Sequence, residues 1–430
     1  MRKSVELRDD EILTQDDLKE PLDYAYLKLE LLNEGLRIEE AAKEGLGETY
    51  KEQIHFLFDL DFNHHPGAFL PAEIILPESP AVGPSVNEFG VLRTGLNAMV
   101  RWNRKSPYLI RREGERLLLE KQGNPLCDVL YYPRPPYYSR KTEDGTEMCR
   151  LTVHGGLQGL FTCFNHYCHY FKDGDECRFC NITTAAVVYP KDQVRRKHIR
   201  QVAEAVAGAW EDGICQRLVI SGGILPGRTE IDSYIEAASE LKKIKKWTDP
   251  DNLPVLPVFG APAPDKLSDI NRLREAGCRF AAINLEMGDP DWFKALCPGK
   301  AKNGGWENWV RAVEYAAEVF GFGNVRCNFV VGIEPMEDTL KTFERLSKKG
   351  VFCQFLCWCA NPGSMLWGHR APTTPWYWEI SSRLVDLYEE SGLTLEQLGS
   401  LPGANDIPMF DIWRARKGMS VEELMPCGEI

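Results

Sequence analysis

The sequence predicts an α/β protein whose central part is a series of six βα repeats. Short apolar segments alternate with amphipathic ones from about residue 149 to residue 363, and the apolar segments carry no regular polar alternation. Strands that are apolar on both faces are typical of a parallel sheet covered by helices. Glycines, prolines and polar side chains follow almost every strand. Six such repeats form either an open, doubly wound sheet or a barrel, complete or partial.

The predicted elements follow one another in a regular order. The first strand and its turn are CRLTVHGGLQGLFT (149–162), and the next five strands are RLVISGG, LPVLPVFGAP, RFAAINLEMG, VRCNFVVGI and VFCQFLCWCANPG. Between them, apolar side chains recur at the spacing of helices. The first helix carries Ile199, Val202, Val206 and Trp210 on one face and ends at Gly213, and the later ones are marked by Ile231 to Leu241, Leu267 to Leu273, Trp306 to Ala317, and Leu340 to Leu346.

Unusual residues fall where these strands end. In either architecture, functional residues gather at the carboxyl ends of parallel strands. Cysteines follow the first strand and a glycine pair follows the second, and other candidates come after the later strands: Gly260, Asn284, Glu286, Gly332, Glu334 and Gly363. The coincidence predicts a functional site at this end of the sheet.

Charge and hydropathy exclude some classes of partner. The 430 residues include 51 basic and 63 acidic side chains, a net charge of −12. This balance disfavours broad binding to nucleic acid or to anionic membranes, which require clustered Lys and Arg. No apolar run approaches the roughly 18–20 residues that cross a bilayer. The N-terminus, MRKSVELRDDEILTQDD, lacks the apolar region of a secretory signal. We therefore expect a cytoplasmic protein without nucleic-acid or membrane partners.

Four of the 14 cysteines lie close together in CFNHYCHYFKDGDECRFC. Their spacing is Cys163-x4-Cys168-x8-Cys177-x2-Cys180. Packing alone does not explain four thiols among so many polar residues, so the segment predicts a metal site. Four thiolates could close a tetrahedral zinc site, and an iron–sulfur cluster is the competing interpretation. Phe179 directly before the last cysteine, and the long αβ alternation that follows, favour the cluster.

These features resemble the radical S-adenosylmethionine (SAM) superfamily over roughly residues 150–365. The resemblance is carried by the cysteine loop ending in Cys-x-aromatic-Cys, the glycine pair after the second strand, and the βα repeats. NLEMGDPDWFKALCPGK, CNFVVGIEP and CANPGS further resemble the biotin synthase and thiazole synthase side of the superfamily. The resemblance implies a partial (βα)6 TIM-type barrel at 149–370. We expect an N-terminal α/β extension or cap at 1–148 and a helical C-terminal tail at 371–430.

The resemblance also implies the cofactors and their ligands. Cys168, Cys177 and Cys180 would hold a [4Fe–4S] cluster with one iron open to SAM. The superfamily usually has Cys-x3-Cys-x2-Cys, so the longer first gap leaves Cys163 as an alternative first ligand. Cys168 is favoured because the shorter insertion makes a tighter loop. The residues expected near SAM are Phe179, Ser221, Gly222, Gly223, Glu286, Val330 and Gly332.

The implied reaction is reductive cleavage of SAM to a 5′-deoxyadenosyl radical, which abstracts hydrogen from a small-molecule substrate. Cofactor biosynthesis, natural-product biosynthesis and anaerobic metabolism are the expected settings. An external one-electron reductant such as flavodoxin or ferredoxin would serve the cluster. No catalytic side chain is predicted. The alternatives are a radical SAM enzyme that modifies a peptide or protein, an electron-transfer iron–sulfur protein without SAM chemistry, and a zinc-binding protein.

Overall fold

A computed structural model describes most of the chain. The described residues are 14–44, 71, 73–88, 90–155, 159–183, 196–213, 217–228, 230–245, 256–261, 266–360, 363–401, 403 and 407–424. Strands within these ranges form a six-stranded sheet, a seven-stranded sheet and a small two-stranded one. None of the helices in these ranges combines the length and the apolar character needed to span a bilayer.

The N-terminal part combines a helix with the six-stranded sheet. Helix α1 (Pro21–Glu34) starts with a proline, which suits the first helical position, and ends at Gly35 with a φ of 68°. The strands are β1 (Arg37–Ile38), β2 (Glu73–Leu76), β3 (Ser85–Val86), β4 (Leu92–Thr94), β5 (Leu96–Met99), β6 (Tyr108–Glu113), β7 (Arg116–Lys121) and β8 (Asn124–Tyr131). The order of strands in the six-stranded sheet is β1-β6-β7-β8-β2-β5, and β3 pairs with β4 in the two-stranded sheet. The expected α/β extension is therefore present.

The seven-stranded sheet contains the predicted repeats. Its strands are β9 (Val153–Gly155), β10 (Gly159–Cys163), β11 (Arg217–Ser221), β12 (Leu256–Ala261), β13 (Phe280–Ile283), β14 (Val325–Asn328) and β15 (Val351–Gln354). From β10 to β15 the strands lie side by side in chain order, and each neighbouring pair is parallel. A doubly wound sheet reverses its strand order at a switch point, and this sheet does not. The partial (βα)6 TIM-type barrel is confirmed.

The start of the barrel differs from the predicted single strand over 149–162. The structure has a turn of 3₁₀ helix at Met148–Arg150, then β9, which runs antiparallel to β10 with Leu160 opposite His154. Two short apolar strands that follow one another closely in the chain have the same sequence pattern as one longer apolar strand. Of the two strands β9 and β10, only β10 belongs to the parallel series.

Helices separate the parallel strands. They are α2 (Ile199–Glu211), α3 (Glu230–Lys245), α4 (Ser268–Glu275), α5 (Pro290–Leu296), α6 (Pro298–Lys302), α7 (Gly305–Phe320) and α8 (Met336–Ser347). The larger helices are amphipathic and bury one face; in α7 the buried residues include Trp309, Val313 and Ala317. The two short helices α5 and α6 adjoin because Pro298 cannot continue α5 and instead starts α6.

Four helices follow the last strand: α9 (Thr374–Glu390), α10 (Leu395–Ser400), α11 (Pro408–Lys417) and α12 (Val421–Leu424). They join the N-terminal part to the barrel. Lys28 of α1 forms a fully buried ion pair with Asp411 of α11 at 2.6 Å. On the barrel side, Tyr377 of α9 donates a hydrogen bond to the carbonyl of Val331 at 3.1 Å. The helical tail therefore closes the side of the barrel next to β15.

Candidate metal centre

The cysteine loop begins directly after β10 and is held beside the segment that follows β11. The Phe164 N–H donates to the carbonyl of Ser221 at 2.9 Å, and the Gly223 N–H donates to the carbonyl of Asn165 at 3.0 Å. A third bond, 2.7 Å long, runs from the His169 N–H to the carbonyl of Ile224. These bonds fix the start of the loop at the carboxyl ends of the first two parallel strands.

Gly223 permits the close approach of the loop. A Cβ added there would lie 2.0 Å from the carbonyl oxygen of Tyr167 and 2.8 Å from the Cα of Cys168. Both are backbone atoms, so no side-chain rotation could relieve the overlap. At Gly222, in contrast, the nearest atom to an added Cβ is the Asn165 nitrogen at 3.4 Å, an ordinary contact. The structure thus requires glycine at the second position of the pair for the path of the cysteine loop itself.

The second half of the loop lies against the junction of α5 and α6. The Arg178 N–H donates to the carbonyl of Leu296 at 2.8 Å, and the Gly299 N–H donates to the carbonyl of Asp175 at 2.9 Å. Lys302 adds an ion pair with the Asp175 carboxylate at 2.6 Å. The segment carrying Cys177 and Cys180 is therefore positioned by elements that follow β13.

Three of the four thiols act on one another electrostatically. Burial raises the pKa of Cys168 and of Cys180, and Cys177 raises both pKa values further. The pKa of Cys177 is lowered, chiefly by the neighbouring Cys297 thiol, which outweighs the opposing effect of burial. The described residues contain no group of three or more His, Cys, Asp or Glu side chains placed around a single ion.

The thiol of Cys163 has different neighbours. It donates to the carbonyl of Asn165 at 3.4 Å, and the charge that acts on it belongs to Lys197. Burial lowers the pKa of Lys197 to about 8 against the opposing effect of Cys163. The ammonium of Lys197 is 3.4 Å from the Thr162 hydroxyl. The charges of Cys168, Cys177 and Cys180 thus act on one another, whereas the charge that acts on Cys163, at the end of β10, is that of Lys197.

Glu286 lies after β13 and is paired with a lysine. Its backbone has a φ of 74°. Its N–H donates to the carbonyl of Asn328 at 3.1 Å, and its carbonyl accepts from the N–H of Val330 at 2.9 Å. The Lys300 ammonium donates to the Glu286 carboxylate at 2.7 Å and is 4.3 Å from the centroid of the Trp309 ring. Burial opposes the charge on Lys300, but Glu286, followed by Cys177, raises its pKa above the ordinary value.

Polar amides line up beside this pair. Asn328 donates to the Asn284 side-chain oxygen at 2.9 Å, and Gln354 donates to Asn328 at 2.6 Å. Asn328 and Gln354 are directly opposite each other on β14 and β15, and Asn284 directly follows β13, so the hydrogen bonds join the ends of three adjacent strands. The remaining amide oxygen of Gln354 is buried and has no hydrogen-bond partner among the described residues.

The other residues expected near SAM are spread over this end of the barrel. Phe179 is partly buried against the core, Ser221 is exposed, and Val330 packs beside Glu286. Gly332 has a φ of 110°, and a Cβ added there would lie 2.5 Å from the Tyr377 hydroxyl. The space next to the Gly332 Cα is therefore occupied by the C-terminal tail.

Sequence reasoning missed Cys297 and Lys300. Both lie in the quoted segment NLEMGDPDWFKALCPGK, and Pro298 between them was an available signal for a helix start. The spacing did not indicate that this second helix would face the cysteine loop. Their importance depends on the contacts of the loop with α5 and α6.

The family comparison agrees with this geometry. The family model described as the Radical SAM superfamily matches residues 164–346, a range that contains Cys168, Cys177, Cys180 and Glu286. This central segment is similar to the radical SAM superfamily, and the protein is an enzyme.

The chain is also similar to a hydroxylase. It is 27% identical over 332 residues to bacteriochlorophyllide c C-7(1)-hydroxylase from Chlorobaculum limnaeum, covering 74% of this chain and 81% of the relative.

The chain also shows a distant similarity to solved structures, with TM-scores below 0.5. Methylornithine synthase has a TM-score of 0.39 at 17% identity, covering 55% of this chain and 69% of its own. For coproporphyrinogen III oxidase from Escherichia coli the TM-score is 0.34 at 13% identity, covering 54% of this chain and 52% of the other, so the match spans about half of that enzyme.

Proposed function

We propose that the protein is a radical SAM enzyme in which Cys168, Cys177 and Cys180 hold a [4Fe–4S] cluster. The observation that supports the proposal is a cysteine loop held by backbone hydrogen bonds at the carboxyl ends of the first two parallel strands, within the segment that the radical SAM family model matches. Soft thiolates are the ligands that iron–sulfur clusters take. When bound, the cluster supplies the electron that cleaves SAM reductively.

The residues around the loop suit binding of SAM. Ser221 is the last residue of β11 and Gly222 follows it, and no Cβ at Gly222 crowds the space beside the backbone. One oxygen of the Glu286 carboxylate accepts from Lys300, and no described residue is hydrogen-bonded to the other. That free oxygen could accept from the hydroxyl or amino groups of SAM. We assign Phe179, Gly223, Val330 and Gly332 to the same region, with Gly223 and Gly332 acting through the backbone path.

We infer an apolar small-molecule substrate that is oxidised at a carbon–hydrogen bond, by analogy with the hydroxylase. The similarity to that relative covers 74% of this chain, more than the segment that the family model matches. Exposed apolar side chains that follow the carboxyl ends of the parallel strands support an apolar substrate. They lie after β10, β13 and β15: Tyr167, Trp292, Met365 and Trp367.

All 12 cysteines within the described residues are free thiols, which supports a reducing, cytoplasmic compartment. We propose that flavodoxin or ferredoxin reduces the cluster. Residues 1–148 would act as a cap and residues 371–430 as a closing tail on the core at 149–370.

Anaerobic reconstitution tests the cluster. The chain is loaded with iron and sulfide, reduced with dithionite and incubated with SAM, and the release of 5′-deoxyadenosine is measured. Cys168→Ala is expected to abolish both the cluster absorbance and the release, because it removes a ligand. Cys163→Ala is the matched control and is expected to retain both. Loss of the cluster in Cys163→Ala with retention in Cys168→Ala would reverse the ligand assignment. Failure of the wild-type protein to cleave SAM would reject the enzyme.

The substrate class is tested separately with bacteriochlorophyllide c. A compound of the right class is expected to increase the release of 5′-deoxyadenosine and to be converted to a product of different mass. Replacing Trp367 by Ser should weaken this stimulation without changing the cluster, because the side chain is exposed at the rim. Stimulation by a peptide but not by the macrocycle would favour the peptide-modifying alternative.

A further inference from the structure

The inner face of the barrel can be identified from Gly403, which follows α10 and lies between two distant strands. A Cβ added at Gly403 would lie 2.8 Å from Nη1 of Arg326 and 3.7 Å from the nearest ring atoms of Phe161. Arg326 belongs to β14 and Phe161 to β10, and three other strands lie between these two in the sheet. Their side chains therefore approach the same residue across the interior of the curved sheet. Because side chains alternate between the two faces of a strand, Asn328, two residues after Arg326, also faces the interior.

Gln354 shares this inner face and carries an unpaired polar atom. It lies directly opposite Asn328 in the register of β14 and β15, and its Nε2 donates to the Asn328 side-chain oxygen at 2.6 Å. The next residue, Phe355, stacks on Phe343 of α8 with 6.2 Å between the ring centroids, on the outer face. Gln354 is only 4% exposed, and its Oε1 has no hydrogen-bond partner among the described residues. A buried amide oxygen without a partner is unfavourable, so this position favours a bound molecule that supplies a donor.

The unpaired oxygen lies at the far end of the row of amides from Glu286. At the near end, the Lys300 ammonium donates to the backbone carbonyl of Asn284 at 2.8 Å and to the Glu286 carboxylate at 2.7 Å. We assigned Glu286 to SAM. Adjacent strands are about 4.7–4.9 Å apart, so Gln354 on β15 lies roughly 10 Å along the sheet from β13. The two ends of the row are therefore far enough apart to contact two different molecules.

We propose that Gln354 is a substrate-binding residue whose free amide oxygen accepts a hydrogen bond from a hydroxyl or N–H group of the substrate inside the barrel. The inference rests on the proposed function and adds one feature to it: the apolar substrate carries a hydrogen-bond donor. A site built to bond a donor group discriminates against an analogue that lacks it, because the buried acceptor then stays unpaired. Gln354 would thus contribute to both the affinity and the orientation of the substrate.

The test measures binding to the reconstituted protein without reductant, so that SAM is not cleaved. The dissociation constant of bacteriochlorophyllide c is obtained from the change in its absorption spectrum with SAM present, and that of SAM by equilibrium dialysis. Gln354→Met keeps the length of the side chain and removes the acceptor. It is expected to raise the dissociation constant of bacteriochlorophyllide c about tenfold and to leave that of SAM unchanged. Gln354→Glu keeps an acceptor oxygen and is expected to recover most of the affinity.

Cys353→Ala is the matched control, because Cys353 is the preceding residue of β15, is fully buried, and points to the opposite face of the sheet. It should change neither dissociation constant. An equal loss of affinity in this control would overturn the inference. So would unchanged binding of bacteriochlorophyllide c in Gln354→Met, which would mean that the amide oxygen bonds water only.

The remaining outcomes separate this inference from the proposed function. Weaker binding of SAM alone in Gln354→Met, or no recovery in Gln354→Glu, would show that the oxygen does not accept from the substrate. If the wild-type protein holds no cluster, or does not bind bacteriochlorophyllide c, the proposed function fails and this inference with it. If Gln354→Met does not fold, Gln354→Asn decides, because its amide is shorter by one methylene group, and unchanged affinity in that variant would overturn the inference.

Discussion

Gly223→Ala is expected to prevent stable assembly of the cluster while leaving the barrel folded. The added Cβ would lie 2.0 Å from the Tyr167 carbonyl oxygen, whereas contacts at 3.4 Å or more are ordinary. The loop backbone would have to move by roughly the difference, more than an ångström. Overpacking of this kind costs about 1–3 kcal/mol. If that strain falls on the conformation that holds the cluster, the binding constant of the cluster decreases about 5- to 150-fold.

The assay measures iron and acid-labile sulfide retained after reconstitution and desalting, with thermal unfolding of the metal-free protein as the check on folding. Gly222→Ala is the matched control, because its Cβ would meet only ordinary contacts, the nearest at 3.4 Å. It should retain the cluster even if SAM binding suffers. Equal retention in Gly223→Ala and Gly222→Ala would show that the steric argument is wrong.

Three further predictions concern stability. Lys300→Met should lower the free energy of unfolding by about 3–5 kcal/mol, because it leaves the Glu286 carboxylate unpaired, and adding Glu286→Gln should recover part of the loss in denaturant titrations. Gly332→Ala should cost about 1–3 kcal/mol in the same measurement, because of its positive φ and its overlap with Tyr377, and Tyr377→Phe in that background should relieve part of it. Burial lowers the pKa of His154 from 6.5 to about 4, so folding favours the neutral imidazole. The free energy of unfolding is therefore highest above pH 6.5 with respect to this group, and it decreases by up to about 3 kcal/mol as the pH falls toward 4. His154→Phe should make the free energy of unfolding less dependent on pH in this range, and an unchanged pH profile would show that the imidazole is hydrated.

The order of the repeats could be predicted because the signal is local. Strands buried on both faces are continuously apolar, and the helices between them repeat their apolar residues with the helical period. The position of the cysteine loop followed from the same reasoning, since it comes after the first parallel strand. The choice between open sheet and barrel needed the pairing of β10 to β15, which no single segment contains.

The contacts that complete the site depend on residues far apart in the chain. Lys300 pairs with Glu286 only because α5 ends at Leu296 and α6 turns back beneath the loop. Likewise, the need for glycine at Gly223 arises from the backbone of Tyr167, 56 positions earlier in the chain. A sequence pattern indicates that glycine is present. It does not indicate which neighbour requires it.

The unusual spacing of the cysteines has a structural explanation. The eight residues between Cys168 and Cys177 include a turn of 3₁₀ helix, His169–Lys172, whose Tyr170 is buried against Gly299. Beyond this turn, Asp175 accepts from the Gly299 N–H and pairs with Lys302. A gap of three residues could not include both the turn and these contacts. The longer loop therefore reaches α6, and this contact both positions Cys177 and encloses the Cys297 thiol beside it.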